Sequence, residues 1–155
     1  MQAIVDVLRD NAMHLLSVRV ASSERDLKKA TDLVISVDGG DVAVRIRRAK
    51  YKGRYRDLTI RAWREGGIRT ELEKLVDGFG DWYLYAWSNG HGGLDDWFLV
   101  DLNKLRISGL LSTQHIRYNK DGQTGFISIS DRELRTCGCM ISEKNTGAES
   151  VQAAF

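Results

Sequence analysis

Apolar residues recur at helical spacing from the start of the chain. Ile4, Leu8, Ala12 and Leu15, joined by Val5 and Leu16, form one stripe, so residues 2–17 are expected to fold as an amphipathic helix packed on a sheet. A polar connector containing Ser22, Ser23, Glu24 and Asp26 follows. The run Thr31-Asp32-Leu33-Val34-Ile35-Ser36-Val37 then reads as a strand that turns at Asp38-Gly39-Gly40-Asp41 and returns over residues 42–48. Side chains alternate faces in an extended chain, which places Val42, Val44 and Ile46 on one side and Ala43, Arg45 and Arg47 on the other. Asp57–Trp63 looks like the third strand of a meander. Thr70 is placed to cap a helix over residues 71–77, ended by Gly78 and Gly80. Trp82, Tyr83, Leu84, Tyr85, Ala86 and Trp87 form an aromatic, β-prone run, and Trp97–Asp101 is a further strand leading into a helical turn with Leu102 and Leu105. His115–Tyr118, the turn Asn119-Lys120-Asp121-Gly122 and Gly125–Ser130 together predict a β-hairpin. One domain over residues 1–141 is expected, with residues 142–155 as a mobile tail.

Charge changes this picture most in one place. Residues 42–69 carry ten Lys and Arg side chains and only two acids, Asp57 and Glu65, a local charge of +8 inside a chain whose total is +2. The remaining sequence is therefore −6, and the layout is strongly dipolar. Clustered cations favour a polyanionic partner, chiefly because phosphate neutralisation releases counterions. Tyr51 and Tyr55 lie among these cations, and Arg61 and Trp63 are expected to share a strand face, so rings able to stack on bases are interleaved with positive charge. Arg45, Arg47, Arg48, Arg61, Arg64 and Tyr51 are the expected nucleic-acid contacts, with DNA preferred to RNA. Five phosphate contacts on a duplex would give a salt slope of roughly −4 to −5.

The rest of the composition excludes more than it specifies. No run reaches the length and apolarity of a membrane span, and the opening MQAIVDVLRD lacks the features of a secretory signal, so a cytosolic protein without membrane contact is expected. Cys137 and Cys139 form a Cys-Gly-Cys pair with no second Cys or His pair nearby, which reads as reduced thiols. His14, His91 and His115 are scattered, and no Ser, Cys or His motif marks a nucleophile.

Asp32 opening a strand, the Gly-rich turn, the returning strand VAVRIRR, the helix beginning at Glu71 and the strand DWYLYAW together resemble the PD-(D/E)XK nuclease superfamily over residues 1–101. The nearer resemblance is to phage and prophage proteins sharing the runs TDL, VRIRR, TIR, TEL, GDWYLY and NxDGxTGF. The likeness implies an α/β (α+β) domain: a mixed central sheet flanked by helices, with an αβββαβ restriction-endonuclease-like core, here followed by a C-terminal hairpin. Family members use an Asp and a Glu-x-Lys to hold Mg²⁺. By matching position Asp32 stands for the Asp, while Arg45 and Arg47 fall where the Glu and Lys should be.

Guanidinium has donors only and cannot ligate a cation, and at about 4 Å a like-charge pair costs on the order of 4 kcal/mol at an effective dielectric near 20. The expected function is thus nucleic-acid binding without efficient hydrolysis and without a cofactor. The alternative is a divergent Mg²⁺-dependent endonuclease in which Asp32 and Glu71 are catalytic and Asp32, Asp26 and Glu24 hold the metal. A third reading is an inhibitor that binds a host defence protein.

Overall fold

A computed structural model describes residues 1–11, 15–20, 33–37, 40–51 and 55–146. Nine strands occur among them: β1 (Leu15–Val20), β2 (Leu33–Val37), β3 (Gly40–Arg47), β4 (Asp57–Arg64), β5 (Trp82–Ser88), β6 (Leu94–Asp101), β7 (Arg117–Tyr118), β8 (Thr124–Ser130) and β9 (Met140–Lys144). The helices are α1 (Gln2–Asn11), α2 (Glu71–Val76), α3 (Leu102–Ile107), α4 (Leu110–Thr113) and α5 (Asp131–Thr136), with a 3₁₀ turn at Ala49–Tyr51. The fold is α+β. A mixed sheet built on β3, β5, β6 and β9 is extended by β2 and β1, giving the order β1-β2-β3-β5-β6-β9, and a separate antiparallel sheet has the order β4-β8-β7.

β3 and β5 are parallel neighbours, whereas every other pairing is antiparallel. A parallel pair needs a long crossover. Here β4 and α2 supply it, and both sit on the face that will form the candidate site. β5 is buried on both sides, which explains its nearly unbroken apolar sequence. On one side Leu84 and Ala86 join Val42, Val44, Trp97 and Leu99 beneath Leu8 of α1, with Ile4 and Val7 at the margin. On the other, Tyr83, Tyr85 and Trp87 join Phe98 and Val100 against Leu58, Ile60, Ile127 and Ile129 of the second sheet and Leu75, Leu102, Leu105 and Leu134 of the helices. The smaller sheet thus closes the larger core.

Four sequence expectations need correction. The first helix ends at Asn11, and Leu15–Val20 pairs with β2 as a strand. Its apolar positions continue the helical stripe, but Val18 and Val20 are β-branched and alternate with polar residues. The third strand of the expected meander exists, yet β5 occupies the place beside β3, and β4 pairs with β8 instead. Ala62 is an extra residue opposite the step from Phe126 to Gly125, so Arg61 and Trp63 do not share a face. Finally, the ordered chain runs past residue 141. β9 adds an edge strand through Lys144, Glu143 is held by Arg56 and Arg135, and Thr146 donates its backbone N–H and its hydroxyl to Asp96, at 2.8 Å each.

The hairpin of β7 and β8 forms as expected, with Gly122 N–H bonded to Asn119 O at 2.9 Å in the turn. Among the described residues, no helix is long and apolar enough to cross a membrane.

Candidate functional site

Arg45 and Arg47 leave β3 toward β4, and each is fixed by a different set of partners. Arg45 donates from Nη1 to Thr59 O (3.0 Å) and from Nη2 to Glu71 Oε2 (2.8 Å). Glu71 is the first residue of α2, a helix started by a reciprocal capping box in which Thr70 accepts from the Glu73 N–H and the Glu73 carboxylate accepts from the Thr70 N–H. That cap lowers the Glu73 pKa through the Thr70 backbone and side-chain hydrogen bonds. It also delivers the Glu71 side chain, only 5% exposed, into the interior. There Oε1 accepts from the Tyr83 hydroxyl at 2.5 Å, and Oε2 accepts from the Arg61 N–H at 3.1 Å. Burial, reinforced by the Glu71 charge, raises the Tyr83 pKa well above the ordinary phenol value.

Arg47 is held without a carboxylate. Its Nη1 donates to Thr59 Oγ1 (2.8 Å) and to the Tyr85 hydroxyl (2.6 Å), two groups that also bond each other at 2.7 Å. The guanidinium carbon lies 5.0 Å from the centre of the Tyr51 ring, a cation–π arrangement that keeps the positive charge in place without neutralising it.

Between β3, the Ala49–Tyr51 turn and the second sheet lies a cavity of about 730 Å³. Its cationic lining is Arg45, Arg47, Arg61 and Arg117, and its rings are Tyr51, Tyr55 and Phe126. Among the described residues Arg47, Arg61 and Arg117 form no ion pair. The opposing charge is Asp57, whose carboxylate takes the Ser128 hydroxyl, with Glu71 beneath Arg45. Net positive potential therefore fills a concave, partly aromatic space, an arrangement suited to anions.

Of the residues singled out from sequence, Arg45, Arg47, Arg61 and Tyr51 meet in this cavity. Arg48 and Arg64 are exposed outside it. Arg56, another cation of the basic stretch, is taken up structurally by Asp131 (3.4 Å) and Glu143 (2.8 Å). Sequence reasoning missed Arg117 and Phe126. Their signal was the hairpin turn, since closing Asn119 against Thr124 sets Arg117 opposite Phe126.

Asp32, Asp26 and Glu24 lie outside the described residues. Glu71 is described, and its environment does not fit Mg²⁺: its oxygens face a guanidinium, a backbone N–H and a phenol, all donors. Among the described residues no three His, Cys, Asp or Glu side chains cluster as metal ligands. Comparison of the chain with known protein families, with curated proteins and with solved structures finds no match.

Proposed function

We propose that the cavity between β3 and the second sheet binds nucleic acid, DNA in the first instance, through phosphate contacts and without hydrolysis. The observation that carries this reading is the convergence of Arg47, Arg61 and Arg117, which form no ion pair among the described residues, on one cavity that also holds Tyr51 and Tyr55. Arginine forks match phosphate oxygens in geometry and keep their charge at every relevant pH. Cationic neighbours disfavour a divalent ion at Glu71 for the same reason that they favour an anion in front of it.

We infer as well that the chain carries a divergent nuclease-like core. Support for a divergent nuclease-like core comes from the succession α1, β2, β3, β4, α2, β5, which follows αβββαβ with β1 added, and from the parallel β3–β5 pair. The departure is β4, whose place lies in the second sheet.

Fluorescence anisotropy with labelled DNA tests the binding reading. Wild type is expected to bind at low salt, and the double substitution Arg61→Ala and Arg117→Ala to weaken binding at least about ten-fold. Equal binding by the two proteins would reject this cavity as the interface.

A further inference from the structure

The second sheet arranges three cavity-lining residues in one cross-strand row. Arg61 on β4 is opposite Phe126 on β8, and Phe126 is opposite Arg117 on β7. All three line the cavity. Directly opposed residues project to the same side of a sheet, and adjacent strands are about 4.8 Å apart, so a half-buried phenyl ring lies between two arginine stems whose Cα atoms are roughly 10 Å apart. We infer, resting on the nucleic-acid reading above, that the unit recognised here is one unstacked nucleotide of a single strand, its base on Phe126 and its flanking phosphates at Arg61 and Arg117.

Three observations favour a single strand over a duplex. The first is size: about 730 Å³ is the volume of a small-ligand pocket, large enough for a nucleotide and too small for a double helix. The second is chemistry: a base face is available for stacking only when the base has left its stack, and aromatic platforms flanked by cations are the general means of holding single strands. Tyr51 and Tyr55 offer further rings in the cavity lining, and Tyr55 is 64% exposed. The third is rigidity. β7 has only two residues, yet it is braced across β8 by Tyr118, which packs edge-on against Trp63 with ring centres 5.5 Å apart. Gly125 lies between them and makes that contact possible, because a Cβ there would meet Ile116 Cγ2 at 2.8 Å and Trp63 Cβ at 3.2 Å. The brace fixes the strand that carries Arg117, on the side of the sheet away from Trp63 and Tyr118.

The test compares a labelled single-stranded oligonucleotide with its duplex at low salt, using wild type and Phe126→Leu, a substitution that keeps an apolar side chain at a half-buried position. Wild type is expected to bind the single strand at least about ten-fold more tightly than the duplex. Phe126→Leu is expected to lose about ten-fold on the single strand, and an unchanged single-strand affinity would overturn the assignment of the base to Phe126. A 2-aminopurine base within the oligonucleotide gives a second readout on wild type alone, with fluorescence quenched on binding by stacking against a ring. Equal affinity for single strand and duplex, or no quenching on binding, would overturn the nucleotide subsite while leaving a polyanion site in place. Absence of binding to any strand would overturn both readings together.

Discussion

Glu71→Gln isolates the electrostatic part of the site while barely changing its shape. The carboxylate accepts from the Arg45 guanidinium, the Arg61 N–H and the Tyr83 hydroxyl, and its side chain is 5% exposed. An amide has one acceptor oxygen. If it faces Arg45 and Arg61, both bonds survive, the first still assisted by the guanidinium charge, while the amide NH₂ turns toward Tyr83, whose hydroxyl can rotate to accept. Hydrogen bonds to charged groups are worth about 1.5–3 kcal/mol and neutral ones about 0.5–1.5 kcal/mol, so the two bonds that become wholly neutral, those of the Arg61 N–H and Tyr83, cost about 2–3 kcal/mol together. The Arg45 side chain is 29% exposed, and solvent screening on that side favours the lower figure. For a domain of 155 residues this corresponds to a melting point lowered by roughly 4–10 °C. Urea unfolding of wild type, Glu71→Gln, Tyr83→Phe and the double variant closes a cycle whose expected coupling is about 1–2 kcal/mol. A loss below about 0.5 kcal/mol for Glu71→Gln would mean that the carboxylate is hydrated rather than buried among donors, and the positions assigned to Arg45 and α2 would fall with it.

Other consequences concern pH. Tyr83 has a folded pKa raised above its unfolded value near 10, so its contribution to stability is complete below pH about 10 and is lost as pH rises toward the folded value. Melts between pH 8 and pH 11, roughly the range of tyrosine ionisation, should fall more steeply for wild type than for Tyr83→Phe; parallel curves would contradict the burial of that phenol. Glu143 behaves in the opposite sense, because hydrogen bonds from Arg135, and then the charge of Arg56, lower its folded pKa. Its contribution is present above the unfolded value of about 4.5 and disappears as pH falls through the lower folded value. Glu143→Gln should therefore cost about 1–2 kcal/mol at neutral pH, with wild type and variant converging in acid, as followed by thermal melts. A gap that persists in acid would place the loss elsewhere.

The elements that were legible in the sequence are those set by local chemistry. The Thr70 cap, the turn at Asn119–Gly122 and the alternation of Ala43, Arg45 and Arg47 all depend on residues within a few positions of one another. Strand neighbours are not local. Nothing within Asp57–Arg64 says that β8, some seventy residues later, will outcompete β3 as a partner, since the alternation of Leu58 and Ile60 with polar residues suits either sheet. The same blindness explains β1, whose apolar residues extend a helical period by accident of spacing, and β9, which pairs with β6 and whose Glu143 is held by Arg56 and Arg135. At the candidate site, the basic stretch pointed to Arg45, Arg47 and Arg61, but the partners that decide their roles came from α2, β5 and the hairpin. Pairing with Glu71 makes Arg45 a structural cation, whereas Arg117, remote in sequence from the charge cluster, completes the cavity.

The central claim is that this cavity is a receptor for phosphate, and the salt dependence of DNA binding tests it most directly. With Arg47, Arg61 and Arg117 each neutralising one phosphate of a single strand, log affinity should fall with log salt at a slope of roughly −2, and Arg117→Ala should make the slope shallower by about 0.7. A slope near zero, or one unchanged by Arg117→Ala, would contradict the account.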